Sequence, residues 1–338
     1  MTPPTPSPAR PRRRRSRIAG GAVAVLALLG AAFFVGPRNE FGPDTATPRA
    51  APEARLEALD GWLAASEAHW SDIRPGLQKA IVWHSPAHQR TPWAVVYLHG
   101  FSASRAETAP LADQVAQQLG ANLFYTRLTG HGRAGSAMGE ARVQDWLADT
   151  LEAVRIGQTL GERVLVIGVS TGATLASWLA LQPQGAQVAA YAFISPNFGL
   201  RNKRSEIINV PWGRQIARAL EGETRGTEPP DPREAQAWTN RYPTRALFPM
   251  MALVKHVRAS ALARFHTPVL MLYSESDQTA DPAETRAAFA RIGSAQKKLQ
   301  VVDYSESQGQ HVLAGDILAP KATGPMAQSI AAWVRALP

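Results

Sequence analysis

RVLVIGVSTGATLASWLA, residues 163–180, joins an apolar run that reads as a buried strand (Arg163-Val164-Leu165-Val166-Ile167) to a helix-like run from Ala173. Gly168-Val169-Ser170-Thr171-Gly172 stands at the junction. A G-x-S-x-G between strand and helix is the setting for a serine on a tight, strained turn, because the glycines let the backbone pack closely on either side. Ser170 is therefore the expected nucleophile.

On both sides of this junction short apolar strands alternate with longer helical patterns. Strands are expected at residues 79–83, 93–98, 122–127, 163–169, 188–195, 268–274 and 298–304, and covering helices at 106–119, 143–160, 171–181, 282–292 and 327–337. Several of the strands lack the period-2 alternation of a half-exposed sheet, so the pattern predicts an α/β protein with a mostly parallel, doubly wound sheet covered on both faces. Gly120, Gly161 and Gly293 stand where helices should stop. One stretch, about 197–265, interposes some seventy residues rich in Arg, Pro and Trp between two strands. A structureless loop of that length is improbable, and its helical patches at 213–220 and 249–264 predict a helical cap over the strand ends, where ligands of open parallel sheets bind.

The N-terminal part has a different character. Arg10, Arg12, Arg13, Arg14, Arg15 and Arg17 supply six of the nine net positive charges of the 338-residue chain, inside a Pro/Thr/Ser-rich tail over 1–17. The remainder is too nearly balanced to imply a phosphate-binding surface, so no nucleic-acid partner is expected. Residues 18–36 (IAGGAVAVLALLGAAFFVG) are uncharged and apolar; as a helix they would reach roughly 28 Å, nearly the thickness of a bilayer core. With arginines on its N-terminal flank, this run predicts a single-pass transmembrane anchor of bacterial inner-membrane type, with the body outside the cytoplasm. A cleaved signal peptide followed by secretion is the competing reading. Residues 37–52, rich in Pro, Ala and Thr, read as a loose linker, and 53–338 as the folded domain, entered through an amphipathic helix at 53–70. The chain has no cysteine, which excludes disulfides, thiolate metal sites and a cysteine nucleophile.

A serine nucleophile needs a base, and the base needs a carboxylate to fix its tautomer. After a G-x-S-x-G turn the partners follow in the order acid, then histidine. Of the histidines beyond Ser170 (His256, His266 and His311), His311 alone follows the last expected strand. For the acid, Tyr273-Ser274-Glu275-Ser276-Asp277 closes the penultimate strand; Asp277 is preferred, with Glu275 and Asp281 as competitors, and Asp281-Pro282 also reads as a helix cap. The oxyanion of acyl transfer needs two amide donors, one from the residue after the nucleophile, Thr171, and one from the loop after an earlier strand, Phe101 of His99-Gly100-Phe101. No Gly-Lys dipeptide and no H-E-x-x-H occurs, so neither a P-loop nor a zincin site, and no cofactor, is expected.

His99-Gly100-Phe101, Gly130-His131-Gly132, Gly168-Val169-Ser170-Thr171-Gly172, Asp277, and His311 with Asp316 five positions later together resemble the alpha/beta-hydrolase superfamily, in its monoacylglycerol lipase, carboxylesterase and serine aminopeptidase-like branch. The resemblance spans about 93–316. It implies the alpha/beta-hydrolase fold, with Ser170 as nucleophile, Asp277 as acid, His311 as base, Phe101 and Thr171 as oxyanion donors, and His131 as a brace. Thr129, Ala173 and Glu275 depart from the family pattern, which makes substrate assignment by analogy less direct. The leading expectation is a membrane-anchored serine hydrolase cleaving a short-acyl or monoacylglycerol-like ester through an acyl-enzyme. Trp212, Trp238, Phe248, Met250 and Met251 of the cap are candidates for an acyl pocket. Amide or peptide hydrolysis is the alternative, favoured if Glu206, Glu221 or Glu234 could hold a substrate amine; acyl transfer shares every motif, and a non-catalytic binding scaffold would ordinarily have lost one of these residues.

Overall fold

Alternate residues of every central strand go to opposite faces of one sheet, and each face is buried. The computed structural model of the chain describes residues 3, 26–52 and 55–338. Its sheet has seven strands, β1 (Ala80–Val82), β2 (Thr91–Leu98), β3 (Asn122–Tyr125), β4 (Gly161–Val169), β5 (Ala190–Ile194), β8 (Val269–Tyr273) and β9 (Lys297–Val301), in the order β1-β3-β2-β4-β5-β8-β9. All neighbours are parallel except β1 against β3. Ala94, Val96, Val164, Val166, Tyr191 and Phe193 face one core, while Val95, Tyr97, Leu165, Ile167, Ala192 and Ile194 face the other. That split is the period of two expected of strands covered on both sides.

Helices α1 (Leu56–Glu67), α3 (Val143–Leu160) and α4 (Thr171–Ala180) fill the first core with Leu59, Trp146 and Leu175; α2 (Leu111–Leu119) and α9 (Pro320–Arg335) fill the second with Val115, Met326 and Ile330. Fully burying such side chains contributes about 1.5–3 kcal/mol each. Two helix starts differ from the sequence expectation. The helix expected from 106 begins at Leu111, because Pro110 disfavours helical geometry at the residue before it. The last helix, expected over 327–337, begins earlier, at Pro320, and runs through Pro325 to Arg335.

Between β5 and β8 lie α5 (Gly213–Glu221), α6 (Pro232–Ala237), α7 (Leu247–Ala259) and a short antiparallel pair, β6 (Thr224–Arg225) with β7 (Tyr242–Pro243). Helix α7 carries Met250, Met251, Leu253 and Val254 into the same core as α4.

The N-terminal expectations divide. The basic tail lies outside the described residues apart from Pro3, and so do residues 18–25 of the expected span; the rest of that span holds a helix over 26–34. No helix among the described residues is long and apolar enough to cross a membrane. Residues 37–52, expected to be a loose linker, are instead a strap bonded to the body. Asn39 donates to the Phe248 carbonyl at 2.9 Å and to Asn209 at 3.2 Å, while Arg214 donates to Asn39 at 2.9 Å. Phe41 stacks on His256, Asp44 accepts from the Trp178 indole at 2.6 Å, Thr47 donates to Asp145 at 2.6 Å, and Arg49 pairs with Asp149. Composition suggests a tether because Pro and Ala dominate, but five side chains with distant partners decide the outcome. Replacing Asn39, which is buried, with Ala is expected to cost about 1–3 kcal/mol by leaving its partners unsatisfied. A fall in the denaturant midpoint at unchanged slope is the check.

Candidate active site

Ser170 sits where β4 turns into α4, with φ 51° and ψ −114°, a conformation that costs a non-glycine residue energy. The flanking glycines explain why the chain holds it there. A β-carbon at Gly168 would lie 2.8 Å from the Ala173 backbone, and one at Gly172 would lie 2.0 Å from the Leu98 carbonyl oxygen. Only glycine lets the start of α4 approach the end of β2, and that approach brings the loop after each strand to one place. The Ser170 amide is itself fixed on the Ile194 carbonyl at 2.9 Å.

His311 lies between Ser170 and Asp277. Its Nε2 is 3.0 Å from Ser170 Oγ and its Nδ1 is 2.8 Å from Asp277 Oδ2. A carboxylate only accepts, so Nδ1 carries the proton and donates to Asp277, which leaves Nε2 to accept from the Ser170 hydroxyl. Asp277 is itself aimed: its other oxygen accepts the amides of Thr279 at 2.7 Å and Ala280 at 2.9 Å. The two competing acids are engaged elsewhere. Glu275 accepts from Tyr273 at 2.6 Å and pairs with Arg286, both of which hold its carboxyl below the usual range. Asp281 caps α8 (Pro282–Arg291) through the Ala283 amide at 2.9 Å and pairs with Lys203 at 2.8 Å.

Histidine 99 shapes the facing loop. Its Nε2 accepts the Leu128 amide at 3.0 Å, so the proton sits on Nδ1, which donates to the Gly100 carbonyl at 2.9 Å. Burial lowers its pKa to about 4, which keeps the ring neutral and this arrangement intact. With the Gly100 carbonyl also accepting from Ala103 at 3.3 Å, the same peptide's Phe101 N–H must point the opposite way. Among the described residues neither the Phe101 nor the Thr171 amide has a recorded hydrogen-bond acceptor. His131 is buried beside this loop, its ring edge-on to Phe101 and Trp146. Asp316 stands apart; its amide donates to the Ala109 carbonyl at 2.8 Å.

Several supporting residues escaped sequence reasoning. Ser195, at φ 45°, donates to the His311 carbonyl at 2.6 Å. Gln310 ties the 305–311 loop by donating to the Ser305 and Ser307 carbonyls at 2.8 and 2.7 Å. Glu107 accepts the Gly100 amide at 2.7 Å. The position directly after β5 was the only available signal for Ser195; the other two had none.

A cavity of about 930 Å³ opens above Ser170 and His311. Trp238, Met250 and Met251 line it together with Leu200, Ile208 and Ala217. Two of the acyl-pocket candidates do not. Phe248 is buried against Asn39, and Trp212 packs over Gly36 with its indole donating to the Ala32 carbonyl at 3.1 Å. Of the acids able to receive an amine, Glu221 alone lines the cavity, and it faces Arg225 at 3.5 Å; Glu206 is paired with Arg258 at 2.9 Å.

A mostly parallel sheet with a serine at the turn after its central strand, a histidine after its last strand and a cap over both belongs to the alpha/beta-hydrolase superfamily, and the protein is a serine hydrolase of the esterase/lipase type. The family described as "Serine aminopeptidase, S33" matches residues 89–307, more than half of the chain, and the chain belongs to it. That match stops short of His311, whose place at the site rests on the geometry. The chain is similar to a thermostable monoacylglycerol lipase from Bacillus sp. (strain H-257), 26% identical over 216 residues that cover 62% of this chain and 80% of the lipase. Among solved structures it resembles a metagenome-derived lipolytic enzyme described with LipS and LipT (TM-score 0.61, 21% identity, 78% of this chain and 99% of the other). It also resembles a soluble variant of monoglyceride lipase from Saccharomyces cerevisiae in complex with a substrate analogue (TM-score 0.59, 16% identity, 76% and 90%).

Proposed function

We propose that the chain hydrolyses carboxylic esters with a short or medium acyl chain, monoacylglycerol-like lipids among them, through an acyl-enzyme on Ser170. The observation that carries this reading is His311 hydrogen-bonded at once to Ser170 and Asp277 under an apolar-lined cavity. Ser170 Oγ attacks the ester carbonyl carbon and its proton passes to His311 Nε2. The tetrahedral oxyanion receives the Phe101 and Thr171 amides; the bond to the alcohol oxygen then breaks, and His311 returns the proton to that oxygen. Water, deprotonated by the same ring, releases the acid and regenerates Ser170. An ester is favoured over an aminoacyl amide because Glu221, the one acid that lines the cavity, faces Arg225 at 3.5 Å and so is not free to hold a substrate ammonium. The monoacylglycerol lipase relative supports the lipid-like end of this range.

The reading includes a membrane tether over 18–36, with the catalytic body outside the cytoplasm. Its support is the uncharged run itself and the outward-facing Leu26, Leu28, Leu29, Phe34 and Val35. A panel of esters of increasing acyl length, run beside aminoacyl amides of the same leaving group, tests the chemistry. Esters are expected to exceed amides in kcat/KM, with a maximum at short or medium acyl length; preference for the amides would overturn it.

A further inference from the structure

The Gly100 amide, one residue before the proposed Phe101 donor, is held by a carboxyl that no cation among the described residues balances. Glu107 Oε1 accepts that amide at 2.7 Å and the Tyr97 hydroxyl at 3.0 Å, and the same hydroxyl lies 2.6 Å from Thr108 Oγ1. The side chain is buried, and among the described residues it takes part in no salt bridge. Its other oxygen faces the nucleophile across Gly100: a β-carbon there would lie 3.0 Å from Glu107 Oε2 and 3.3 Å from the Ser170 β-carbon. A negative charge in that place would oppose the oxyanion that forms on the far side of the same loop, in a region of low dielectric where such repulsion is large.

We propose that Glu107 is a positioning residue of the oxyanion loop that serves turnover only as the neutral acid, so that its ionisation sets the alkaline limit of the enzyme. The proposal rests on the reading of Ser170 and the Phe101 amide given above. Burial pushes the Glu107 carboxyl up to about 8, against the smaller downward pull of the Gly100 and Tyr97 hydrogen bonds. The other titratable or charged groups around it do not supply this behaviour. On β2, Tyr97 is pushed well up by burial and by Glu107 itself, and His99 is held neutral; on β3, Tyr125 is pushed up and donates to Asp113 of α2, with Arg105 over its ring. Asp316, from the loop before α9, meets this segment through its amide on the Ala109 carbonyl, and His311 is engaged with Ser170 and Asp277. None of these carries a recorded hydrogen bond or ion pair to the Glu107 carboxyl except Tyr97.

The folded pKa lies above the ordinary value of 4.5, so folding takes up a proton between the two. Glu107 therefore adds stability below about 4.5, and that contribution is lost as pH rises toward about 8. Glu107→Gln keeps the acceptor for Gly100 but cannot ionise.

The test uses the full chain and p-nitrophenyl butyrate from pH 6 to 10. In the unchanged protein kcat is expected to fall about tenfold for each pH unit above the Glu107 pKa, with KM nearly constant. Glu107→Gln should retain most of the neutral-pH kcat and lose this limb, whereas Glu107→Ala should lower the neutral-pH kcat about tenfold by freeing the loop and, having nothing to ionise, should lack the limb as well. Tyr97→Phe removes a hydrogen bond to the carboxylate and should move the limb to higher pH. The melting temperature of the unchanged protein should decline from pH 6 to 9, and that of Glu107→Gln should decline less. An unshifted limb in Glu107→Gln overturns the proposal; should that variant not fold, an unshifted limb in Tyr97→Phe does so. Full activity in Ser170→Ala would instead overturn the reading of the site itself, which separates the two failures.

Discussion

Ser170→Ala is expected to lose about six orders of magnitude in kcat on any ester the enzyme turns over, while folding as before. The size follows from the proposed role: in that reaction no acyl-enzyme forms without the Oγ, and only the proposed amide donors and the cavity remain to assist water. The hydroxyl contributes nothing needed to hold the turn, because the strained backbone is kept by the Ile194 carbonyl and by the close packing at Gly168 and Gly172. A fluorophosphonate probe should label the unchanged protein and leave the alanine variant unlabelled, with identical circular dichroism in both. Equal labelling would remove Ser170 from the reaction.

The second large effect is at the acid. Asp277→Asn is expected to lower kcat about 10⁴-fold with little change in KM, since an amide at this place lets the imidazole settle with its proton on the wrong nitrogen. Asp277 is aimed by two backbone amides and buried, so the asparagine keeps its position and the loss reports the tautomer rather than a collapsed loop. Asp281→Asn and Glu275→Gln should stay within a few-fold of the unchanged enzyme, because one caps a helix and the other pairs with Arg286 on the surface. A severe Asp281→Asn beside a mild Asp277→Asn would reassign the acid. Combining Asp277→Asn with Ser170→Ala should add nothing to the serine change alone.

How much of this was legible in the sequence depends on the range of the interactions. The turn at Ser170 and the strand ends near Phe101 and Asp277 could be read because each motif lies within a few residues of an apolar strand, and parallel strands put their C-terminal ends along one edge. His311 could be placed by chain order alone. Glu107 could not, because it falls in what reads as the first turn of an amphipathic helix, and only the later start at Leu111 turns it inward. Nor could the contacts of Asn39 and Asp44, whose partners are more than a hundred residues away. The β6–β7 pair was equally hidden: two residues per strand, one of them Pro243, give no periodicity to detect.

The path of residues 37–52 bears on how the enzyme should be produced for such measurements. Cutting the chain at Glu53, the boundary that composition recommends, would discard Asn39, Phe41, Asp44 and Thr47 together and strip those contacts from the Phe248 carbonyl, the His256 ring, the Trp178 indole and Asp145. A cloning boundary ahead of Gly36 removes much of the greasy N-terminal run yet spares that belt. Shortened versions that precipitate when begun at residue 53 but stay in solution when begun at 36 would be reporting a stripped flank, not a defective catalyst.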